Sequence, residues 1–401
     1  MGQTILKEDL NDQGSVPVFS ATEGDHYFGY IDNPVVKLHP GDLVIPARGS
    51  IGFVKLVTEP ATTTQTTIYC KKVDSDVNSR FAYYFMRGNK KFLFQATQTA
   101  IPQITVEEVS TNPIVIPSIS EQEQIVAFLD HETAKIDRLI AKQERLIELL
   151  KEKRQAVISH AVTKGLNPNV PMKDSGVEWL GEVPAHWVVG ALKFGWDIID
   201  CKHLTAPFVD DGTPLASIRE VQSRVVDLSE AKKTTREYYL QLIEGGRKPR
   251  PGDIIYSRNA TVGEAALVVD GPDFAMGQDV VLMRPRSQDS DYFLYQLESK
   301  SIGSQLDLLM VGATFKRINV GNIKNLTVAF PPLEEQRKIS RHLSEVESKF
   351  DRLSAPALRA VELLREHRTA LISAAVTGKI DVRGWQKPNY EPQEAAAAAN
   401  A

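Results

Sequence analysis

The stretch PSISEQEQIVAFLDHETAKIDRLIAKQERLIELLKEKRQAVISHAVT at residues 117–163 recurs as PPLEEQRKISRHLSEVESKFDRLSAPALRAVELLREHRTALISAAVT at residues 331–377. The two stretches align without a gap at an offset of 214 residues, and 22 of the 47 positions are identical. Average residue usage would give about 3 identities by chance. The period is too long for a solenoid, whose units span about 20 to 50 residues. It indicates a duplicated unit of a globular domain followed by a helix, and therefore two-fold pseudo-symmetry.

The repeated stretches have the pattern of long helices that pack on each other. Residues 120–163 contain neither Pro nor Gly, and Ser120 with Glu123 predicts a capping box. Apolar residues recur at steps of 3, 4 or 7, close to the 3.5-residue period of a coiled coil. This apolar stripe comprises Ile125, Leu129, Ile136, Ile140, Ile147, Leu150 and Val157 in the first helix and Ile339, Leu343, Phe350, Val361, Leu364 and Leu371 in the second. We expect the two helices to pack antiparallel.

Two features complicate the simple coiled coil. Pro356 stands where the first helix has Lys142, and a proline in a helix interior predicts a bend or a break into two helices there. Leu139, Leu146 and Leu149, with Ile158, lie beside the stripe and widen it. The helices therefore form either a closed intramolecular coiled coil or part of a larger bundle with partner helices.

The sequence predicts an α+β fold with two pseudo-symmetric strand-rich domains joined by two long antiparallel coiled-coil helices. Both domains are rich in short β-branched runs bounded by Gly and Pro. The predicted segments are a first domain at 1–117, a first helix at 118–165, a linker and second domain at 166–331, a second helix at 332–380 and a disordered tail at 381–401. Residue 1 aligns near residue 199, so we expect the first domain to be N-terminally incomplete.

Composition limits the compartment and the partners. No apolar run reaches the roughly 18 residues of a membrane span, and no signal peptide pattern opens the chain, so a cytoplasmic protein without membrane contact is expected. Two cysteines at non-equivalent places fit a reducing compartment. A net charge of −4 argues against coating nucleic acid by bulk charge but is compatible with a sequence-specific binder.

Catalytic signatures are missing from the sequence. It has no Gly-rich phosphate loop ending in Gly-Lys-Ser/Thr, and its histidines show no metal-ligand spacing, so neither catalytic nor metal residues are predicted. The strings nearest to an amino-methyltransferase motif, at Asn33-Pro34-Val35 and Asn112-Pro113-Ile114, are typical of turns. The Glu-Gln pair that starts each repeated helix is typical of a helix N-terminus.

Several motifs carry a resemblance to the specificity subunit of type I restriction-modification systems. These motifs are Gly176-Val177-Glu178-Trp179-Leu180-Gly181-Glu182-Val183-Pro184-Ala185-His186-Trp187, Pro251-Gly252-Asp253-Ile254-Ile255-Tyr256-Ser257-Arg258, Gly277-Gln278-Asp279, Gly312-Ala313-Thr314-Phe315-Lys316-Arg317-Ile318-Asn319, Pro331-Pro332-Leu333-Glu334-Glu335-Gln336 and Ala375-Val376-Thr377-Gly378-Lys379-Ile380. With the repeat they cover nearly the whole chain, although the first domain lacks the Gly-Val-Glu-Trp opening.

The resemblance implies a non-catalytic subunit that reads a bipartite, asymmetric site on double-stranded DNA. Each strand-rich domain would be a target recognition domain for one half-site. The helices would act as a ruler, because their length would fix the distance between the two half-sites. The resemblance further implies that two adenine-methylating subunits dock on the chain and that restriction subunits with translocase and nuclease activity join them. S-adenosylmethionine, ATP and Mg would then act in those partner subunits, with no cofactor in this chain.

Basic and amide side chains of the strand-rich domains are candidate DNA contacts. Arg is the commonest reader of guanine, and Gln and Asn read adenine, through paired hydrogen bonds in the major groove. Any one of these residues is equally typical of a solvated surface, and contacts to phosphate outnumber contacts to bases. The candidates are Arg48, Gln98 and Gln103 in the first domain and Arg219, Arg258, Asn259, Thr314, Lys316 and Arg317 in the second.

Two other classes of function stay open from the sequence. One is a single-chain DNA methyltransferase or nuclease, which transfer of a labelled methyl group by the purified chain would reveal. The other is a coiled-coil adaptor that binds only proteins, which failure of every reconstituted complex to bind DNA would favour.

Overall fold

A computed structural model of the protein describes residues 1–24, 26–94, 103–310 and 317–388. The chain divides into two compact units. The first comprises Met1–Arg145 with Ala357–Ala401, and the second comprises Leu146–Pro356. Both boundaries fall inside the long helices, so each unit contains one strand-rich domain and half of each helix.

Strands and helices of the first strand-rich domain are numbered here in chain order. They are β1 Val16–Phe19, β2 Gly29–Ile31, β3 Leu43–Pro46, β4 Lys55–Leu56, β5 Thr62–Thr63, β6 Thr67–Cys70, α1 Ser79–Gly88, α2 Lys90–Leu93, α3 Val106–Ser110 and the long helix α4 Ile119–Lys164. The strands form two small sheets with the orders β2-β1-β5 and β4-β3-β6. The β1 strand is antiparallel to β2 and parallel to β5, while β3 is antiparallel to both of its neighbours.

The second strand-rich domain repeats this plan and adds strands at its start. Its elements are β7 Met172–Asp174, β8 Glu182–Pro184, β9 Val188–Ala191, β10 Trp196–Asp200, β11 Thr213–Ala216, β12 Lys233–Thr234, α5 Arg236–Leu242, β13 Ile254–Ser257, β14 Ala265–Leu267, β15 Ala275–Met276, β16 Val280–Pro285, α6 Ser290–Leu297, α7 Lys300–Met310, α8 Val320–Lys324, β17 Thr327–Phe330 and the long helix α9 Leu333–Val376. The sheets have the orders β12-β11-β15, β10-β16-β13-β14, β17-β9 and β7-β8.

The two domains use equivalent elements for equivalent pairings. The parallel pair β1 and β5 corresponds to β11 and β15, and the antiparallel trio β4-β3-β6 corresponds to β14, β13 and β16. The α3 helix lies 214 residues before α8, the same offset as in the helical repeat. The predicted α+β fold with a duplicated strand-rich scaffold is therefore confirmed.

The long helices pack antiparallel within each unit. In the first unit, Ile125 and Leu129 near the start of α4 share a buried cluster with Ile372 and Val376 near the end of α9. In the second unit, the opposite ends of the helices meet. The cluster there joins Ile158, Ala161 and Val162 of α4 to Ile339 and Leu343 of α9. All residues of the predicted apolar stripe are buried or half-buried, whereas Leu139, Leu146 and Leu149 stay 43–48% exposed.

Three sequence-based expectations about the helices need correction. The α9 helix continues through Pro356 as one element, so the predicted break into two helices is wrong. The capping box lies two residues earlier than predicted, because Ser118 Oγ donates to Glu121 Oε2 at 2.8 Å and accepts from the Glu121 amide. Within the described part of the tail, Val382 is buried and Trp385 packs edge-on to Phe128 at 5.6 Å. Val382 and Trp385 are therefore packed, in contrast to the disorder predicted for 381–401, and residues 389–401 of that prediction lie outside the described residues.

A buried glutamine fastens each strand-rich domain to its long helix. Gln336 Oε1 accepts from the Asp289 amide at 2.9 Å, and its Nε2 donates to Gln288 Oε1 at 2.7 Å and to the Pro331 carbonyl at 2.8 Å. Asp289 is the N-cap of α6. Gln122 binds the N-cap of α1 in the same way, since its Oε1 accepts from the Asn78 amide at 2.7 Å. The Glu-Gln pairs are thus structural, as their position at a helix start indicated.

No helix in the described ranges is both long enough and apolar enough to cross a lipid bilayer.

Candidate nucleic-acid interface

The loop that follows β13 brings two predicted residues side by side. Asn259 forms an isolated antiparallel bridge with Arg317, and the Ile318 amide donates to the Arg258 carbonyl at 2.9 Å. Ala260 then turns the chain in the left-handed region at φ 56°, which allows the loop to reverse immediately after the bridge. Asn259 is half-buried and Arg317 is exposed. The loop therefore presents an amide and a guanidinium from two distant parts of the sequence.

The first unit repeats this arrangement after β3. Arg48 forms an isolated antiparallel bridge with Gln103, and the Ile104 amide donates to the Ala47 carbonyl at 3.0 Å. Gly49, at φ 70°, turns the loop where Ala260 does so in the second unit. Arg48 and Gln103 are both exposed. Equivalent backbone geometry thus displays different side chains in the two units.

The two bridges use the same types of side chain in the opposite order along the sequence. Each bridge pairs one arginine with one carboxamide residue, with the arginine on the first segment in one unit and on the second segment in the other. A guanidinium suits the two acceptors of guanine, and a carboxamide suits the donor and acceptor of adenine. The bridges are therefore the best-placed candidates for reading base edges. Three predicted contacts, Gln98, Thr314 and Lys316, lie outside the described residues.

Arg258 is a correction to the predicted contacts, because its side chain is only 6% exposed. Its Nε lies 3.6 Å from Asp200 Oδ1, and its terminal nitrogen lies 3.4 Å from His203 Nε2. Its amide also donates to the Asp279 carbonyl at 3.0 Å. Arg258 therefore supports the base of the loop. Arg219 in contrast is exposed, and it donates to the Glu230 carbonyl at 2.8 Å on a different turn.

The neighbours of Arg258 also include a set of possible metal ligands. One ligand atom each from Asp200, Cys201 and His203 lies within 4.8 Å of the others. Burial, and then the Asp200 carboxylate, raises the pKa of the Cys201 thiol, which favours the protonated form that binds metals poorly. The Arg258 guanidinium already supplies a positive charge beside Asp200. The cluster fits an ion-pair network better than a cation site.

Sequence reasoning found the bridge residues one by one but missed their pairing. No local signal in the sequence indicates this pairing, but the Gly277-Gln278-Asp279 motif contacts the base of the loop in the second unit. A Cβ on Gly277 would come 2.0 Å from Ser217 Oγ, so a larger residue there would force the Ser217 side chain to move. Gln278 Nε2 donates to the Leu204 carbonyl at 3.1 Å, and Asp279 accepts from Arg258. The motif is thus a scaffold for the loop.

Comparison with known proteins decides the family. The family model for the type I restriction modification DNA specificity domain matches residues 1–149 and 224–362, which is more than half of the chain. The chain belongs to this family. The matched ranges include Arg48, Gln103, Asn259 and Arg317, and therefore both bridges of the candidate interface.

Curated specificity subunits are similar over most of their length. The specificity subunit of the type I restriction enzyme EcoBI from Escherichia coli is 24% identical over 382 residues, covering 90% of this chain and 78% of that protein. The MjaVIII specificity subunit from Methanocaldococcus jannaschii is 22% identical, covering 89% of this chain and 83% of that protein. The predicted DNA-recognition subunit of a type I restriction-modification system is thereby confirmed.

A solved structure supports the fold. A chain from a study of complex assembly and conformational transition of the type I R-M system superposes with a TM-score of 0.66. The match covers 91% of this chain and 92% of that chain at 16% identity. At this identity the likeness concerns the fold alone.

Proposed function

We propose that this specificity subunit reads a bipartite, asymmetric site on double-stranded DNA, one half with each unit. The observation that carries the proposal is the pair of equivalent bridges, Arg48 with Gln103 and Asn259 with Arg317. The same backbone presents the same two kinds of side chain in reversed order. Two equivalent bridges that carry different side chains would recognise two different half-sites.

Base contacts would come from the bridge side chains, and phosphate contacts from other basic residues such as the exposed Arg219. Phosphate contacts position a protein on DNA, whereas contacts in the grooves specify the sequence. Arg258 would act indirectly, because its buried side chain holds the loop that carries Asn259. Each bridge would thus read bases from a loop that the domain core holds in place.

The chain would contribute recognition, and its partners would contribute the chemistry. In the proposed complex two methyltransferase subunits bind S-adenosylmethionine, and restriction subunits use ATP and Mg. Exposed leucines of the long helices support docking of partner helices. These are Leu139, Leu358 and Leu363 in the first unit and Leu146, Leu149 and Leu353 in the second, all between 43% and 59% exposed. A net charge of −4 fits a subunit that relies on partners for non-specific attraction to DNA.

An exchange of recognition domains tests the proposal. Residues 176–331 would be replaced by the equivalent segment of another specificity subunit, and the methylated adenines of cells expressing the complete system would be mapped. One half of the methylated site should change to that of the donor, while the other half stays the same. A change in both halves, or in neither half of an active hybrid, contradicts a division of recognition between the units.

A further inference from the structure

In the second unit the side chain of Arg224, between β11 and β12, joins the strand-rich domain to the long helix α9. Its guanidinium carbon lies 4.0 Å from the centroid of the Tyr295 ring, which is a cation–π contact. Its terminal nitrogens lie 3.3 Å from Asp291 Oδ1 and 3.6 Å from Glu347 Oε2. Tyr295 donates to the same Glu347 carboxylate at 2.6 Å, and Arg154 of α4 forms an ion pair with it. One carboxylate thus serves two arginines and a hydroxyl at the same time.

The first unit provides equivalents of the aromatic ring and of the helix residues around Arg224. Tyr84 and Tyr295 each lie six residues after the N-cap of their helix. Thr133 of α4 lies 214 residues before Glu347 of α9, which is the offset of the helical repeat. Tyr84 Oη donates to Asp130 Oδ1 at 2.7 Å, and Asp130 lies one turn before Thr133. The hydroxyl of each tyrosine therefore binds a carboxylate of the adjacent long helix.

The strand beside Arg224 also has an equivalent in the first unit. The Leu267 amide of β14 donates to the Arg224 carbonyl at 2.9 Å. Leu267 pairs with β13 at the position where Leu56 of β4 pairs with β3. An arginine placed in the first unit as Arg224 is placed in the second would therefore lie beside Leu56 and over the Tyr84 ring.

The first unit has a cavity at this position. Its volume is about 390 Å³, far more than the roughly 10 to 15 Å³ that one water molecule needs. Within the described part of the chain, the arginine that stacks on Tyr295 has no counterpart on Tyr84. The lining of the cavity includes Leu56, Tyr84 and Thr133 and, beside them, the charged residues Arg80, Asp130, Asp137 and Arg368.

The residues outside the described ranges do not provide this arginine. In the first unit they are residues 25, 95–102 and 389–401, and the sequence has neither arginine nor lysine at any of these positions. The loop at residues 20–28, which follows β1 as the segment with Arg224 follows β11, has no arginine or lysine either. A guanidinium in the cavity would therefore have to come from another molecule.

The charges of the site favour a cation. The lining holds two ion pairs at 2.8 Å, Asp130 with Arg80 and Asp137 with Arg368. Glu59 accepts from a tyrosine hydroxyl of the lining at 2.7 Å and adds a further carboxylate. A carboxylate offers about four acceptor positions, so each aspartate can bind a second guanidinium, as happens in the second unit.

We propose that this cavity binds the arginine side chain of a partner polypeptide. The guanidinium would lie over the Tyr84 ring and beside Asp130 and Asp137. Arginine suits the site better than lysine, because its flat guanidinium can stack on a ring and donate to two carboxylates at once. The second unit indicates a polypeptide as the source, because Arg224 is carried by a segment whose carbonyl β14 binds. This inference goes beyond DNA recognition and does not depend on it.

A peptide from this chain provides the probe. A fluorescein-labelled peptide with the sequence of residues 220–228, in which Arg224 is the only cationic side chain, would be titrated with the full-length chain and followed by fluorescence anisotropy. Saturable binding is expected. Citrulline in place of the arginine keeps nearly the same shape without the charge, and should weaken binding about tenfold or more because hydrogen bonds between charged groups are lost. The absence of saturable binding, or equal binding of the two peptides, overturns the proposal.

Free arginine distinguishes a polypeptide from a small molecule as the source of the guanidinium. It should displace the peptide only at far higher concentrations, because it lacks the neighbouring residues of the segment. Displacement by free arginine at the concentration of unlabelled peptide that is equally effective would contradict a polypeptide ligand.

Variants of the chain locate the binding. Ala134 is exposed and lines the cavity, so Ala134→Leu should fill part of the space and weaken peptide binding, whereas Ala141→Leu, at an exposed position of α4 outside the lining, should not. Asp130→Asn removes a charge of the cavity and should also weaken binding, whereas Glu132→Gln removes a charge of α4 outside the lining and should bind normally. Circular dichroism of the four variants checks that the fold is retained.

Two outcomes would assign the binding elsewhere. Unchanged binding to both cavity variants would show that the peptide replaces Arg224 in the second unit. Sedimentation of the free chain as a dimer that Ala134→Leu disperses would assign the cavity to a second copy of the chain. Either result contradicts a partner arginine in the cavity of the first unit.

Discussion

Replacement of Gln336 by alanine should lower the free energy of unfolding of the second unit by an amount that is large for one shortened side chain. The side chain is 2% exposed and makes three hydrogen bonds, to Asp289, Gln288 and Pro331. At about 1 kcal/mol net for each bond, their loss amounts to roughly 3 kcal/mol, and the amide of the half-buried Asp289 is left without its acceptor. Typical domains are stable by only about 5 to 15 kcal/mol, so the change is a large fraction of the total.

The effect should be measured both globally and at the site. Urea unfolding followed by circular dichroism gives the change in the free energy of unfolding. Hydrogen exchange gives the local effect, because the amide of Asp289, the N-cap residue, should lose protection before the amides of α6. Gln122→Ala should have a similar effect in the first unit, where the Asn78 amide loses its acceptor.

A half-buried glutamine of α4, Gln143, offers the matched control. Its replacement by alanine should change the free energy of unfolding by less than about 0.5 kcal/mol, as is usual away from buried networks. A similarly small change for Gln336→Ala, with unchanged protection of the Asp289 amide, would refute the role of the glutamine in fastening domain to helix.

Burial raises the pKa of Tyr84 to about 12 from its ordinary value of 10.0. The contribution of the neutral Tyr84 side chain to the free energy of unfolding is therefore complete below pH 10 and is lost between pH 10 and 12. Tyr84→Phe should therefore make the alkaline loss of stability shallower by about one proton, as measured by urea unfolding from pH 9 to 12; an unchanged slope contradicts the assignment. Trp385→Ala should lower the free energy of unfolding of the first unit by about 1 to 3 kcal/mol in thermal or urea unfolding, whereas a disordered tail would give no change. Arg317→Ala should weaken specific DNA binding of the assembled complex by about 1 to 3 kcal/mol at constant salt and leave the melting temperature unchanged. Arg258→Ala should instead lower the melting temperature, because it leaves the Asp200 carboxylate without its cation, and the opposite pattern for the two arginines would contradict their assigned roles.

The helical part of the fold could be predicted because its signals are local and repeated. The spacing of Ile125, Leu129 and the later stripe residues follows directly from helix geometry, and the gapless repeat required one packing mode for both copies. Pro356 predicted a bend or a break because helix propensity is local, yet α9 continues through it as one element and the nearby Ala357 and Val361 are buried. The packing of Val382 and Trp385 could not be predicted because both residues contact a helix that is distant in the sequence, which periodicity cannot reveal.

The candidate interface could be predicted in composition but not in geometry. Arg48 and Gln103 were suitable residue types, yet the bridge between them joins segments more than fifty residues apart and has no local signal. The same holds for Asn259 and Arg317. The burial of Arg258 could not be predicted because its residue type gives no indication that its side chain lies beside Asp200, which is far away in the sequence. Pairing and burial depend on the tertiary fold, whereas residue chemistry does not.

The most direct test of the account is to disable one bridge at a time and map the methylated adenines of cells by single-molecule sequencing. Two double variants, Arg48→Ala with Gln103→Ala and Asn259→Ala with Arg317→Ala, would be compared with the unaltered chain in the complete system. Each should relax or abolish recognition of one half-site, a different half for each variant, and leave the other half as it was. Loss of specificity in both halves from a single double variant, or unchanged sites in both, would contradict recognition by two equivalent bridges.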